Sequence, residues 1–132
     1  MRRSGVARFP NSIQLFKFCQ KILSEKKGSK VHDQDVGAIL QFNPSDCSHW
    51  KRGEKNVKSV FSLAQLAESL DVEVALLHDI AIGVISLEEA YYEYHEANQL
   101  SKLFHEASVE EKEKLDQIRQ TVDLFVQSLH HQ

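Results

Sequence analysis

Five glycines, two prolines and two cysteines are all that this 132-residue chain has of the residues that turn or staple a fold. So few turn formers, with few alternating β-branched stretches, exclude a many-stranded β architecture and point to an all-α chain. Two cysteines cannot make the framework of a disulfide-rich domain; Cys19 and Cys47 each fall on an apolar helix face and are expected as buried, reduced thiols. No apolar run approaches the roughly 20 residues of a membrane span, and residues 1–10 lack the apolar segment of a signal peptide. A cytoplasmic protein with no membrane partner is the expectation. Signatures of catalysis are missing too: there is no phosphate loop, dinucleotide glycine fingerprint or nucleophile elbow. The seven histidines include no His-x-x-x-His pair, there is no Cys-x-x-Cys, and His95-Glu96 lacks the later histidine of a zinc peptidase. Glu88-Glu89 and Glu110-Glu111 are first-turn helix residues that favour the helix dipole. No enzyme, metal or cofactor is expected, and a length of 132 residues suits one stable domain with an appendage.

What is present is an uneven charge. The net charge of −3 hides twelve Lys/Arg against five Asp/Glu in residues 1–58, and four against fourteen in residues 59–132. Inside the basic half, residues 43–53 (Asn-Pro-Ser-Asp-Cys-Ser-His-Trp-Lys-Arg-Gly) read as a short helix with its own start and stop. Asn43 is an N-cap, Pro44 suits the first turn, and Gly53 suits a left-handed C-terminal closure. Cys47 and Trp50, at i and i+3, point one way; Ser45, Ser48, His49 and Arg52 form the opposite, polar face. So short a helix needs a scaffold. Cys47 and Trp50 would anchor it while the polar face is presented outward, as reading a DNA groove requires. Lys51, Arg52, Lys55 and Lys58 would form a basic rim for phosphates. Arg2, Arg3 and Arg8 form either an arm that follows the duplex or a merely soluble terminus.

The flanks extend the pattern. An apolar stripe from Ile13 to Leu23 contains Leu15, Phe16, Cys19, Ile22 and Leu23. Asp33 to Phe42 predicts a second helix with Val36, Ile39 and Leu40 apolar and Gly37 open to close approach. Ser59 can cap a helix carrying Val60, Leu63, Ala67 and Leu70, and the run from Val74 to Ile82 stops at Gly83. Residues 12–83 resemble the five-helix helix-turn-helix domain of lambda-repressor-like (Cro/C1, XRE) regulators. The resemblance rests on Val36-Gly37-Ala38-Ile39-Leu40, on Ser45 through the Trp50-Lys51-Arg52-Gly53 turn, on Leu66 to Val72, and on Leu76-Leu77. It covers about half of the chain. It implies a double-stranded DNA-binding transcriptional regulator of prokaryotic or phage type, with helix 44–52 in the major groove and Asn43, Ser45, Ser48, His49, Lys51, Arg52, Lys55 and Lys58 at the interface. The chain departs from the resembled pattern where that pattern has a small alanine (Gly37), Ser or Thr followed by Gln (His32-Asp33), and an aliphatic residue followed by glutamate (Trp50-Lys51). An aspartate at position 33 would repel a phosphate. Asp46 either accepts from a cytosine amino group or favours the helix N-terminus.

Three segments follow: a basic arm over 1–11, the helix-turn-helix domain over 12–83, and an acidic helical region over 84–132. Ser86-Leu87-Glu88-Glu89 is a capping box opening a helix with Leu87, Ala90, Tyr91, Tyr94, Ala97, Leu100, Phe104 and Ala107 apolar. Ser108-Val109-Glu110-Glu111 starts another, in which Leu115, Ile118, Val122, Phe125 and Leu129 make a heptad seam. The seam either folds back to close a monomeric core or pairs with a second copy; the need to span two half-sites favours a homodimer through 87–129. Phe61, Tyr91 and Tyr92 are aromatic candidates for the same contact. A different function also fits: a protein-interaction module, antitoxin-like or adaptor, whose acidic C-terminal helices hold a protein partner.

Overall fold

The computed structural model describes residues 7–106 and 109–130. Among the described residues the chain is all-α, with seven helices and no strand. They are α1 (Pro10–Lys27), α2 (Asp33–Ala38), α3 (Pro44–Lys51), α4 (Val60–Leu70), α5 (Val74–Ile82), α6 (Leu87–Glu106) and α7 (Val109–His130). Two compact units divide between Tyr92 and Glu93, inside α6. No helix among the described residues is long and apolar enough to cross a membrane.

In the first unit α1 is longer than its apolar stripe predicts. Pro10 fits the first turn, Lys26 and Lys27 favour the negative helix end, and Gly28 closes it at φ 74°. Pro10 and Asn11, which the sequence places in the basic arm, belong to α1. The Phe9 N–H donates to the Gly53 carbonyl at 2.7 Å, so residues just before α1 are tied to the end of α3. Arg2 and Arg3 lie outside the described residues. Helix α2 is shorter than predicted, ending at Ala38 instead of Phe42. The Gln41 N–H donates to Ala38 and the Phe42 N–H to Gly37, a Schellman closure with Gln41 left-handed at φ 61°. The same pair of bonds recurs around Gly53, Asp71 and Gly83, and the caps expected at Ser59 and Ser86 accept from the N–H groups of Ser62 and Glu89.

These ends fix where the apolar faces point. Leu15, Phe16, Phe18, Cys19 and Ile22 of α1 are buried with Val36, Trp50, Leu63, Leu66, Leu70, Leu77 and Ile80. Trp50 is fully buried, edge-on to Phe16 (5.0 Å between ring centres) and to Phe42 (5.9 Å). Its Nε1–H donates to the Ser12 carbonyl at 3.0 Å, and the buried Ser12 hydroxyl accepts from the Val57 N–H. Ser12 thereby links α1 both to α3 and to the segment that follows it. The unit continues past the expected boundary at residue 83, because Ala90 is buried and Tyr91 stacks on Phe18 at 5.4 Å with its hydroxyl donating to the Lys17 carbonyl. Lys21 lies over the same ring at 4.6 Å. Tyr91 is therefore spent inside this unit, with burial raising its hydroxyl to about 12, whereas Phe61 and Tyr92 are exposed.

The second unit holds the rest of α6 and α7. Tyr94 is buried, but Leu100, Ile118, Val122, Phe125 and Leu129 remain 52–64% exposed. Leu100, Leu115, Ile118 and Val122 line an open apolar cleft. The Phe104 side chain, Ala107 and Ser108 lie outside what is described.

Candidate nucleic-acid interface

The local chemistry of α3 follows from its ends and its two faces. Asn43 accepts from the Asp46 N–H at 2.8 Å, Pro44 occupies the first turn, and Gly53 (φ 74°) reverses the chain so that the Glu54 N–H reaches the His49 carbonyl at 2.8 Å. Asp46 thus sits in the first turn, where a carboxylate favours the helix N-terminus. Cys47 and Trp50 face inward. The Cys47 thiol donates to the Asp33 carbonyl at 3.0 Å, and burial raises its pKa. Gly37 makes this approach possible: a Cβ there would lie 2.7 Å from the Cys47 Sγ. On the other side Ser45, Ser48, Lys51 and Arg52 are exposed, and Asp46 and His49 are partly so.

The cations of this surface are not all unpaired. Lys51 Nζ lies 2.6 Å from Asp33 Oδ2, and Gln20 Nε2 donates to Asp33 Oδ1 at 2.7 Å. The Lys51 bond leads the causes that hold the Asp33 carboxyl below its ordinary value. Positions 33 and 51, where the sequence departs from the resembled pattern, are thus bonded to each other. Asp33 does not face solvent as a lone negative charge, and Lys51 is engaged between α2 and α3. Arg52 donates from Nε and Nη2 to Glu54 Oε1 and Oε2 at 3.2 and 3.3 Å, and His49 Nε2 stands 3.7 Å from the same carboxylate.

Farther along, Lys55 lies over the Phe42 ring at 5.0 Å. Lys58 is exposed and lines an open cleft with Arg8, Asn11 and Asn56, so one residue of the expected arm and one of the expected rim share a surface. The structure gathers Ser45, Ser48, His49 and Arg52 on one face of α3, with Asn43 at its start. It turns Lys51 toward α2, and Lys55 and Lys58 lie in the segment leading to α4. Glu54, Gln20 and Ser12 carry as much of the local geometry and were not expected. Glu54 had a readable signal, since a residue just beyond a C-terminal glycine is folded back on the last turn. The partners of Gln20 and Ser12 are distant in sequence. Among the described residues no group of three metal-ligating side chains comes together. No family model, curated protein or solved structure matches the chain.

Proposed function

We propose that residues 12–83 form a lambda-repressor-like helix-turn-helix domain and that the protein is a sequence-specific, double-stranded DNA-binding transcriptional regulator of prokaryotic or phage type. The single observation that carries this reading is α3: one face locked by Cys47 and Trp50, the other presenting Ser45, Ser48, His49 and Arg52. An eight-residue helix held this way fits the width of a major groove. The serines read permissively, His49 donates to guanine or phosphate, and Arg52 donates to guanine. Because Lys51 is bound to Asp33, the phosphate contacts fall mainly to Lys55 and Lys58, with Arg8 beside Lys58. The apolar surface of the second unit, in the acidic half of the chain, is then the contact with a second copy, which a reader of two half-sites needs.

The test is duplex binding by the full chain over a salt series, followed by selection from a random pool. Affinity should fall steeply with salt, and Lys55→Ala or Lys58→Ala should weaken every duplex alike while reducing the slope by about one each. Flat affinity between low and physiological salt rejects the reading. The second reading, a protein-interaction module working through its acidic helices, gains from the pairing of Lys51 and Arg52 with carboxylates of the same unit. A chain that binds no duplex even at low salt would leave that reading standing.

A further inference from the structure

We infer that Glu54 is a positioning residue for base reading: it grips one edge of Arg52 and aims the other at a guanine in the duplex. This rests on the DNA-binding reading above and specifies what that face recognises. An arginine as exposed as Arg52, at 58%, would ordinarily sample many rotamers and pair with any nearby phosphate. Here two donors on one edge, Nε and Nη2, meet the two oxygens of one carboxylate. A guanidinium carries five N–H groups in a rigid fork. The grip on Glu54 uses one on Nε and one on Nη2. The end pair, one each on Nη1 and Nη2, is left in the geometry that matches guanine O6 and N7.

Glu54 can hold this position because it is itself held. Its side chain is only 15% exposed, and its N–H is bonded to the His49 carbonyl in the turn that Gly53 makes with φ 74°. His49 Nε2 stands 3.7 Å from the same carboxylate, so both basic side chains of the face gather around one anion. Two effects then act together. Ordering Arg52 before binding removes an entropy cost from the correct contact. A carboxylate beside the groove also repels phosphates. Only the first effect widens the gap between preferred and random duplex; the second lowers affinity for both.

The experiment compares wild type, Glu54→Ala, Glu54→Gln, Arg52→Ala and the Glu54→Ala/Arg52→Ala double variant. Each is given the duplex that wild type enriches from a random pool and a random duplex, at one salt concentration. Wild type should enrich a guanine at a position that becomes degenerate with Arg52→Ala. For Glu54→Ala the ratio of the two affinities should fall by about ten-fold or more, the lower end of what one bidentate base contact discriminates. Binding to random duplex should be unchanged or tighter. Glu54→Gln, which retains one acceptor, should fall between, and the double variant should be no less selective than Arg52→Ala alone. If Glu54→Ala keeps both the ratio and the guanine, or if the two substitutions act additively, Glu54 does not position Arg52 and only this inference falls. If wild type binds duplex without enriching any sequence, or binds none, the DNA reading fails and the inference falls with it.

Discussion

Trp50 shows how one side chain can decide whether a short helix is a usable surface. Its ring is fully buried between Phe16 and Phe42, and its N–H is anchored on Ser12. Trp50→Ala should cost about 3–5 kcal/mol in urea unfolding, the range for emptying a large aromatic site. A variant of normal stability would place the indole in a binding role instead. Gly37 works by what it lacks. A methyl group there would meet Cys47 Sγ and Cβ at 2.7 and 2.8 Å, so the alanine of the resembled pattern is excluded by Cys47 in this chain. Gly37→Ala should destabilise by about 1–3 kcal/mol through overpacking, despite the better helix propensity of alanine. Gln41 is the opposite case, a side chain where glycine fits better. At φ 61° it bears the left-handed penalty in the turn between α2 and α3. Gln41→Gly should raise stability by about 0.5–1 kcal/mol by the same urea measurement, and a loss would show that the side chain has a compensating contact.

At the scale of elements, local chemistry was legible and pairing between elements was not. Asn43, Ser59, Ser86, Gly53 and Gly83 act where the sequence placed them, because a cap depends on residues three or four away. The end of α2 is not legible in the sequence because Gln41 adopts a backbone conformation that glycine usually advertises. The bond between Asp33 and Lys51 spans 18 positions, so Asp33 alone reads as a defect of a DNA-binding face and Lys51 alone as a phosphate contact. Together they form one contact between α2 and α3. The folded-state pKa of Asp33 is depressed, first by the Lys51 bond. The native state therefore binds fewer protons than the unfolded state between the two pKa values. Its stabilisation is complete above the unfolded value and disappears as pH falls through the folded one. Asp33→Asn should thus be less stable than wild type at neutral pH, and the two stability curves should converge in acid below the ordinary carboxylate range. The gap should be small and should shrink in high salt, since both partners are substantially exposed. A gap that persists undiminished at acid pH would assign the effect to packing instead of charge.

For the whole molecule, the division of charge was legible from composition alone, but its consequence depends on what covers the second unit. Residues 1–58 carry a net +7 and residues 59–132 a net −10. The predicted seam exists as an exposed feature: Ile118, Val122, Phe125 and Leu129 are each more than half accessible within the chain. Periodicity could identify such a stripe but not its partner, because folding back and pairing demand the same apolar spacing. Grouped apolar residues of this size on a water-facing surface usually mark a contact, and the occupant proposed above is a second copy. Two copies joined in this way would bring two α3 helices to two half-sites at high effective concentration. Ile118→Glu with Phe125→Glu, both at exposed positions, should leave helicity intact by circular dichroism and shift sedimentation from dimer to monomer. Binding to a two-half-site duplex should weaken by about 10²–10⁴, while binding to a single half-site should change little. Like charges introduced on an interface would oppose pairing, whereas on a solvent face they would change neither sedimentation nor the ratio of two-site to one-site binding. A wild-type chain that stays monomeric at high micromolar concentration would remove the second copy from this surface. The exposed apolar side chains would then have to meet a different partner.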